Sequence, residues 1–484
     1  MTLPAAFVRE LEAALAPEAL IREPEQLRTY ECDGLTGYRS VPALVVLPGS
    51  TEQVRDVLRS CHQHGTPFVA RGAGTGLSGG ALPVAGGIVV SLARMNRILE
   101  LDLESARATV QPGVTNLAVT QAVAADGFYY APDPSSQQVC TIGGNVAENS
   151  GGAHCLKNGF TANHVTGLTV VLPDGEVVRL GGKGWDAPGY DLLGAFVGSE
   201  GTLGIATEIT LRLLRRPEAV KTLLAGFDST DAAGTAVSDV IGAGILPAAI
   251  EMMDRLTLEA VEAAVHAGYP DVEAILLVEL DGFSSQVADD LEAVLAVCRT
   301  RNAREIRVAE SEAERALLWK GRKSAFAAMG RVSRDYYVQD GVVPRTKLPE
   351  VLRRIAKLGR EHGLRVGNVF HAGDGNLHPL VLYDRRRPGE PERAEEVAQA
   401  ILRACVDAGG SITGEHGVGV DKACSMPLMF GPADLEAMGR LRRAFDPAGL
   451  ANPGKLFPTP RLCGEVPGPY RAHPLEEAGL AERF

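Results

Sequence analysis

The sequence has few cysteines and no closely spaced pair of them. Its eight cysteines occur singly along 484 residues, without a C-x-x-C or C-x-x-x-C pattern. This spacing disfavours an iron–sulfur cluster or a cysteine zinc site, and it lacks the density of a secreted disulfide scaffold. We therefore expect reduced thiols and a cytoplasmic protein, with peripheral attachment to the inner face of the membrane left open.

Excess positive charge and long apolar runs are also missing. The formal net charge of −12 argues against nucleic acid as the main partner. No uncharged apolar run reaches the length that spans a membrane. Residues 1–15 carry Arg9, Glu10 and Glu12, which is typical of an amphipathic helix and not of a signal peptide. We expect no nucleic-acid partner and no transmembrane segment.

Glycine, in contrast, is abundant and clustered. The 55 glycines concentrate at 71–87, 143–152, 181–204 and 409–419. Glycine allows backbone dihedrals and a close backbone approach that side chains prevent, so local clusters of it indicate function.

The first cluster contains a G-x-G-x-x-G match at residues 74–79. Residues 43–71 before it predict a strand, a helix capped by Thr51 and stopped by Gly65, and a second strand. A dinucleotide-binding turn would open a helix directly after this motif. Further glycines and Pro83 forbid such a helix here. The context therefore disfavours a nicotinamide site.

Three more loops combine small residues with hydroxyl or amide groups: "PDPSS" at 132–136, "TIGGNVAENSGG" at 141–152 and "GSEGTLGI" at 198–205. With the glycine cluster at 71–87 as the first loop, these are the second, third and fourth loops. Exposed backbone amides in such loops can bind the pyrophosphate of a cofactor. Tight turns of a β-rich domain are the structural alternative for any single loop. Four loops in one chain favour cofactor binding.

The chain changes character near residue 217. Before it, strands dominate, with hairpins predicted to turn at 104–106 and 173–175. After it, strands alternate with longer helices, which predicts a second α+β domain whose antiparallel sheet is covered by helices. A further β/α stretch runs from about 336 to 415, and the tail from 432 is predicted to be helical and then proline-rich.

The order of these loops resembles the FAD-binding domain of the vanillyl-alcohol-oxidase superfamily. The branch that it resembles contains the glycolate oxidase FAD subunit and the FAD-linked D-lactate and D-2-hydroxyglutarate dehydrogenases. The resemblance implies an α+β fold with a two-subdomain FAD-binding domain, a ferredoxin-like α+β substrate (cap) domain and a small C-terminal helical segment. We expect boundaries at 1–38 for an N-terminal helical segment, 39–217 for FAD binding, 218–415 for the cap, and 416–484 for a segment that returns to the flavin.

The resemblance also implies the residues that line the cofactor. Residues 71–78 would follow the pyrophosphate, and Asn452, in "FDPAGLANPGK", would approach the flavin ring. The first loop has no histidine or cysteine for covalent attachment, so we expect non-covalent FAD. The expected FAD-binding residues are Arg71, Gly72, Ala73, Gly74, Thr75, Gly76, Leu77, Ser78, Pro132, Asp133, Thr141, Gly143, Gly144, Asn145, Asn149, Gly151, Gly152, Glu200, Gly204, Ile205 and Asn452.

Two stretches in the second half carry acid–base and metal-binding residues: "VFHAGDGNLHP" at 369–379 and "ITGEHGVG" at 412–419. Two imidazoles and a carboxylate suit a divalent metal such as zinc, manganese or iron, although two satisfied histidines in a turn are the plainer interpretation of the first stretch alone. The resemblance implies His371, His378 and Glu415 as metal ligands. It implies the neighbouring His416 as the catalytic base.

A 2-hydroxy acid also needs a cation for its carboxylate, and arginine offers a planar fork. The resemblance places Arg322, in "LLWKGRKSAF", at that position, and a solvated helix arginine is the alternative. Relatives that act on longer diacids carry a lysine before "VVP", where this chain has Val338 and Gln339. This difference favours a short monocarboxylate such as glycolate or lactate.

The sequence thus predicts an FAD-dependent D-2-hydroxy-acid dehydrogenase. The alternatives are a redox-neutral flavin enzyme of the ether-lipid-synthase type and a non-catalytic electron-relay subunit. Because no cluster-binding cysteines are present, electrons would leave through a partner subunit, a quinone or a soluble carrier, with oxygen left open. A homodimer and a hetero-oligomer are both compatible with the sequence.

Overall fold

The computed structural model describes residues 3–184 and 189–459, which form two compact units. Unit 1 comprises residues 3–151, 159–184, 189–216 and 415–459. Unit 2 comprises residues 152–158 and 217–414. Each unit is therefore assembled from separate stretches of the chain.

Helices and strands alternate irregularly along the described chain. The helices are α1 Ala5–Ala14, α2 Pro24–Leu27, α3 Thr51–His64, α4 Asn116–Val123, α5 Ile142–Glu148, α6 Cys155–Asn158, α7 Leu192–Phe196, α8 Thr230–Gly242, α9 Arg255–Val265, α10 Ser284–Thr300, α11 Glu312–Lys323, α12 Ala325–Met329, α13 Leu348–Glu361, α14 Glu390–Asp407 and α15 Pro432–Phe445. The strands are β1 Leu20–Ile21, β2 Leu44–Val46, β3 Phe68–Arg71, β4 Ile88–Ser91, β5 Ile98–Asp102, β6 Arg107–Val110, β7 Phe128–Tyr129, β8 Val165–Val171, β9 Val177–Gly181, β10 Ile205–Arg212, β11 Leu214–Arg215, β12 Ala219–Phe227, β13 Ala249–Asp254, β14 Ala274–Gly282, β15 Glu305–Val308, β16 Asp335–Val338, β17 Gly341–Val342, β18 Val366–His371, β19 Asn376–Leu377 and β20 Pro379–Tyr383.

The first sheet of unit 1 confirms the predicted strand–helix–strand. Its order is β1-β2-β4-β3, with β2 and β3 both parallel to β4. Helix α3 ends at Gly65, whose φ of 63° is left-handed, as predicted. Its cap was predicted wrongly: Ser50, in extended conformation, accepts the Gln53 amide, and Thr51 is already helical. The four strands pack around Phe68 and Ile88.

The chain after β3 confirms that the G-x-G-x-x-G match is not a dinucleotide-binding turn. Residues 72–87 contain neither helix nor strand, and β4 follows directly. A dinucleotide-binding fold needs a helix that begins directly after this motif, and residues 72–87 contain no such helix.

The second sheet of unit 1 is antiparallel, in the order β5-β6-β10-β8-β9. Both predicted hairpins are confirmed, because β5 pairs with β6 and β8 pairs with β9. The short strands β7 and β11 form a separate pair. One face of the sheet buries Val110, Leu168 and Ile209 in a core that also receives Ile142 and Val146 of α5. These apolar contacts fix α5 to the sheet, and polar residues lie in the loops next to the helix.

Unit 2 is one antiparallel sheet with helices on both faces, as predicted. The order is β15-β12-β14-β13-β18-β19-β17, and β20 pairs with β16 and β18. Alternate residues of β12 to β14 enter two cores: one contains residues of α8, α10, α13 and α14, and the other contains residues of α9, α11 and α12. The β/α stretch from 336 belongs to this same sheet, since β18 pairs with β13.

Two further expectations from the sequence concern the C-terminal helix and the cysteines. Helix α15 confirms the helix predicted from 432, and the proline-rich tail beyond residue 459 lies outside the described residues, as does Cys463. Six described cysteines are free, but Cys424 is disulfide-bonded, so the expectation of reduced thiols throughout was wrong. Within the described ranges, no helix is both long and apolar enough to cross a membrane.

Candidate active site

Helix α5 gathers the glycine-rich loops of unit 1. Thr141 caps the helix, and its Oγ1 accepts the Gly144 amide at 3.4 Å. The first loop passes so close that a Cβ on Gly72 would lie 2.3 Å from the same Oγ1. Only glycine fits at position 72, so the first and third predicted loops are in direct contact.

The second and fourth loops also reach α5. Asn116 Nδ2 donates to the Pro132 carbonyl and to Asn145 Oδ1, both at 3.0 Å. The amides of Gly198 and Glu200 donate to the carbonyls of Val146 and Ala147, both at 2.8 Å. The four loops that the sequence singled out therefore converge on one helix.

Two buried serines in these loops fit a polar ligand. Ser78 and Ser199 have no hydrogen-bond partner for Oγ among the described residues, although both side chains are buried. A buried hydroxyl without a partner is costly unless something else bonds to it. Close-packed glycines, a polar loop and open hydroxyl groups are what a cofactor with a pyrophosphate needs, so these residues fit FAD.

Two charged residues that were predicted to bind the cofactor, Arg71 and Glu200, form hydrogen bonds to backbone groups of the protein instead. Arg71 Nη1 donates to the Cys32 carbonyl at 2.8 Å, and burial lowers the pKa of Arg71. The Glu200 carboxylate accepts the amides of Val418 at 2.7 Å and Gly419 at 2.6 Å. Both side chains hold backbone in place, and their ionic groups are occupied by protein donors and acceptors.

Asn452 joins the first loop to the fourth. Its Nδ2 donates to the carbonyls of Gly80 at 2.9 Å and Glu200 at 2.7 Å, while its Oδ1 accepts from Lys455 at 3.0 Å. Burial lowers the pKa of Lys455 to about 8. The C-terminal signature thus supports the glycine-rich loops through a fully used side-chain amide.

The other predicted cofactor residues lie along the same loops. Asn149 ends α5 with a left-handed φ of 51°, and its Oδ1 accepts the Ala162 amide. Gly204 has a φ of 137°, and a Cβ there would lie 2.6 Å from the Val171 carbonyl. The rest form the first loop, the second loop, the third loop and the start of β10: Ala73, Gly74, Thr75, Gly76, Leu77, Asp133, Gly143, Gly151, Gly152 and Ile205. Of these, Gly152 belongs to unit 2.

Sequence reasoning missed that two acids of unit 1, Glu148 and Glu200, lie close together. A Cβ on Gly417 would lie 2.1 Å from Glu148 Oε2 and 3.0 Å from Glu200 Oε1. Glu148 as a whole is half-buried, but its Oε2 has no exposed surface and no hydrogen-bond partner among the described residues. Burial and the charge of Glu200 raise the pKa of Glu148 well above its ordinary value. Glu148 lies inside the stretch 141–152, whose glycines indicate a cofactor site but give no signal for a second acid beside Glu148.

The predicted base and third ligand belong to unit 1. Glu415 Oε1 lies 3.7 Å from His416 Nε2, and a Cβ on Gly151 would lie 2.7 Å from Glu415 Oε2. The chain that follows is fixed at the first loop, where the Ser78 carbonyl accepts the amides of Val420 and Asp421. Within unit 1, His416 is therefore held beside the glycine-rich loops.

His371 ends β18 in unit 2, directly opposite Glu251 of β13. Its Nδ1 lies 2.8 Å from Glu251 Oε1 and 3.0 Å from Oε2. Both side chains are buried. The hairpin after His371 turns at Gly375, where φ is 73° and a Cβ would lie 2.1 Å from the Val343 carbonyl. The predicted glycine run thus returns the chain tightly to the second histidine.

His378 follows this hairpin and is brought to His371. The two imidazole centroids lie 5.1 Å apart with their planes nearly perpendicular, and His378 is also buried. Asp340 Oδ1 lies 3.5 Å from His378 Nε2. The other carboxylate oxygen of Asp340 accepts from Thr413 Oγ1 at 2.5 Å and from the Gly414 amide at 3.0 Å. Asp340 therefore links His378 to the segment that ends unit 2.

Arg322 is buried on α11 and is bound to the same carboxylate as His371. Its Nε donates to Glu251 Oε2 at 2.6 Å. Arg322 is only 2% exposed, so the alternative of a solvated helix arginine is wrong for this residue. The adjacent Lys320 and Lys323, in contrast, are exposed. Burial alone would raise the pKa of Glu251, but the charge of Arg322 and the hydrogen bonds from His371 and Arg322 bring it below its ordinary value.

The chemistry of unit 2 fits a divalent metal. Two buried imidazoles at this separation can turn ring nitrogens toward one ion, and buried carboxylates stand next to both. Sequence reasoning found the histidines but missed Glu251 and Asp340. A signal existed for Glu251, since it is the one charged residue within the apolar run 248–253. A charge in an otherwise buried strand is almost always paired.

Most of the chain matches known protein families. Residues 42–181 match the family described as "FAD binding domain", and residues 216–456 match "FAD linked oxidases, C-terminal domain". The "Glycolate oxidase subunit GlcD" of Escherichia coli (strain K12) is 52% identical over 466 residues, which cover 96% of this chain and 93% of that protein. The chain belongs to the FAD-linked oxidase family. A "D-lactate dehydrogenase" of Anaerostipes hadrus is 33% identical over 453 residues, with 91% and 95% covered.

A solved structure confirms the fold of this FAD-linked oxidase. The 4-ethylphenol oxidase from Gulosibacter chungangensis, in an isoeugenol complex, aligns with a TM-score of 0.79 at 20% identity, covering 94% of this chain and 98% of that one. The predicted α+β architecture of the vanillyl-alcohol-oxidase type is therefore confirmed, and so are the predicted family and the FAD cofactor. The roles of individual residues in binding and catalysis stay predictions.

Proposed function

We propose that this FAD-linked oxidase converts a small D-2-hydroxy acid of the glycolate or D-lactate type to the 2-oxo acid. The observation that carries the proposal is the buried pair of imidazoles in unit 2, with Arg322 bound to the carboxylate that also holds His371. This arrangement would provide ligands for a metal and a cation for the substrate carboxylate. The names of the E. coli and A. hadrus relatives, a glycolate oxidase subunit and a D-lactate dehydrogenase, support the same substrate class.

The FAD is proposed to bind without a covalent bond, in the loops around α5. Its pyrophosphate would meet the amides of the first loop and the open hydroxyl groups of Ser78 and Ser199. FAD, when bound, supplies the two-electron acceptor for a hydride from the substrate carbon. Acid precipitation should release all flavin into the supernatant. Yellow colour that stays with the precipitated protein would contradict non-covalent binding of FAD.

His371, His378 and Glu415 are the proposed ligands of a divalent metal. Glu415 directly follows Gly414 in the chain, and the Gly414 amide is held by Asp340, which also lies beside His378. A divalent metal, when bound, supplies a Lewis acid that favours the deprotonated hydroxyl of the substrate. Zinc, manganese and iron all suit two imidazoles and a carboxylate.

His416 is the proposed base. An imidazole with an ordinary pKa near 6.5 can accept a proton at neutral pH, so His416 would take the proton from the hydroxyl oxygen while the hydride leaves the carbon that bears this hydroxyl. The products balance, because an alcohol that loses one proton and one hydride becomes a ketone or an aldehyde.

The proposed substrate is short and carries one carboxylate. Glu251 Oε2 faces both Nε and Nη2 of Arg322, so a substrate carboxylate would be left with the Nη1 side of the guanidinium. Val338 packs with the core that contains residues of α11, and Gln339, which follows the end of β16, is buried. The apolar Val338 therefore faces the same side as Arg322, where it offers no charge to a second carboxylate.

Electrons are proposed to leave through a partner subunit, a quinone or a soluble carrier. Several relatives are named as subunits, which favours a hetero-oligomer, and a homodimer is the alternative. A cytoplasmic protein, including one attached to the inner face of the membrane, stays the prediction. Cell fractionation and co-purification from the native host would test both points.

Flavin reduction tests the proposed function. Under anaerobic conditions, D-lactate or glycolate should bleach the flavin absorbance, and L-lactate should not. A flavin that no 2-hydroxy acid bleaches, but that dithionite reduces, would favour an electron-relay subunit. Conversion of a substrate without net flavin reduction would favour a redox-neutral enzyme.

A further inference from the structure

Glu251 is a buried carboxylate whose two partners are both proposed functional residues. It lies on β13 with 1% of its surface exposed. One partner is His371 Nδ1, at 2.8 and 3.0 Å from the two carboxylate oxygens. The other is Arg322 Nε, which donates to Oε2 at 2.6 Å. One carboxylate therefore joins a proposed metal ligand to the proposed substrate-binding cation.

The hydrogen bond to His371 determines which ring nitrogen is left for a metal. A carboxylate that is paired with arginine accepts hydrogen bonds and donates none. Nδ1 of His371 must then carry a proton, so Nε2 keeps the lone pair that a metal requires. Carboxylates that orient metal-binding histidines in this way also make the imidazole a stronger ligand.

The bond to Arg322 fixes a second direction. The guanidinium is planar, and its donors point in fixed directions. Nε donates to Glu251 Oε2 and Nη2 lies 2.5 Å from the same oxygen, so the plane of Arg322 is set and Nη1 is directed away from Glu251. The same carboxylate thus sets the orientation of both groups, and its charge balances the buried guanidinium.

We infer that Glu251 is a positioning residue that holds His371 in the metal-binding tautomer and fixes the plane of Arg322. The inference rests on the proposed function, because it assumes that His371 binds the metal. It adds a residue that acts without touching metal or substrate. Glu251→Gln keeps the size of the side chain but offers His371 a weaker acceptor and leaves Arg322 without its counter-charge.

The chain offers a matched control on the neighbouring strand. Glu279 of β14 is equally buried and accepts from Arg315 and Trp319 of the same helix α11, and from Thr222. Its partners among the described residues include none of the proposed metal ligands. Glu279→Gln should therefore lower stability without changing the affinity for metal.

The experiment measures Zn²⁺ affinity by competition with a chromogenic chelator, in FAD-loaded protein and well below the unfolding temperature. We expect Glu251→Gln to bind Zn²⁺ about 10–100-fold more weakly than the wild type. Glu279→Gln should bind as the wild type does. The absorption spectrum of Co²⁺-substituted protein should change with Glu251→Gln only, because the spectrum reports ligand geometry and not stability.

A double variant identifies the path of the effect. In a His371→Ala background, Glu251→Gln should cause no further loss of Zn²⁺ affinity, since the residue through which it acts is gone. Equal Zn²⁺ affinity of wild type and Glu251→Gln would overturn the inference, as would an equal loss in Glu279→Gln. If Glu251→Gln does not fold, Glu251→Asp, which keeps the charge and shifts it by one methylene, must show the loss. A wild type that binds no Zn²⁺, Mn²⁺ or Fe²⁺ would instead overturn the proposed metal itself.

Discussion

The side-chain amide of Asn452 donates a hydrogen bond of 2.7 Å to the carbonyl of Glu200, a residue 252 positions earlier in the chain. A second bond from the same nitrogen reaches Gly80, so one side chain ties the first glycine-rich loop to the fourth. Both loops are proposed to line FAD. The affinity for FAD should therefore depend on a residue that need not touch the cofactor.

Asn452→Ala should weaken FAD binding by about tenfold to a hundredfold. Leaving buried carbonyls unpaired costs about 1–3 kcal/mol, and each 1.4 kcal/mol is a tenfold change in a binding constant. Titration of the apoprotein with FAD, followed by quenching of flavin fluorescence, measures the change. Asn302→Ala, in a turn of unit 2, is the control. An unchanged FAD dissociation constant in Asn452→Ala would show that the loops hold together without this residue.

Gly417→Ala should destabilise the protein more than Gly449→Ala. Both glycines have left-handed φ values, of 84° and 67°, so each substitution costs about 1–2 kcal/mol in backbone strain. A Cβ at 417 would also meet Glu148 at 2.1 Å, whereas nothing lies within 4 Å of a Cβ at 449. Urea unfolding of both variants measures the difference. Equal losses would mean that the buried acids move aside freely.

Glu148→Gln should make stability less dependent on pH. The raised pKa of Glu148 means that the folded state holds its proton more tightly than the unfolded state, whose ordinary pKa is 4.5. Stability from this group is complete below pH 4.5 and is lost as the pH rises through the folded-state pKa. The melting temperature of the variant, relative to the wild type, should thus increase from pH 5 to pH 9. Glu176→Gln, at an exposed position, is the control. A constant difference between Glu148→Gln and the wild type over this range would contradict the raised pKa of Glu148.

His416→Ala should retain FAD but reduce its flavin about 10²–10⁴-fold more slowly with D-lactate, because the hydroxyl proton has lost its acceptor. Anaerobic stopped-flow absorbance in a single turnover gives the rate without the step to the electron acceptor. His62→Ala, at an exposed end of α3, should react at the wild-type rate. Normal flavin reduction in His416→Ala would remove this residue from the reaction.

Local patterns predicted much of the fold. Residues 43–71 predicted β2, α3 and β3, and turn residues predicted both hairpins of the second sheet. The helix cap was predicted one residue late because Ser50 and Thr51 are both capable of capping, and only the extended backbone of Ser50 decides between them. The loops around α5 were found because glycine clusters are visible in a single sequence.

Residues that act across the sheet could not be found in this way. Glu251 faces His371 because β13 pairs with β18, and 120 positions separate the two residues. Arg322 is buried while Lys320 and Lys323 are exposed, which depends on how α11 lies on the sheet. Register and helix packing are long-range properties, so the sequence identified the chemical groups and the structure identified their partners.

Removal of the metal distinguishes metal-assisted oxidation from oxidation by FAD and the protein alone. The FAD-loaded protein would be stripped with a chelator, analysed for metal, and mixed anaerobically with D-lactate before and after Zn²⁺, Mn²⁺ or Fe²⁺ is restored. Stripped protein should keep its yellow flavin but reduce it at least about 100-fold more slowly, and one of the ions should restore the rate. Equally fast flavin reduction in protein shown to contain no metal would mean that the oxidation needs no metal.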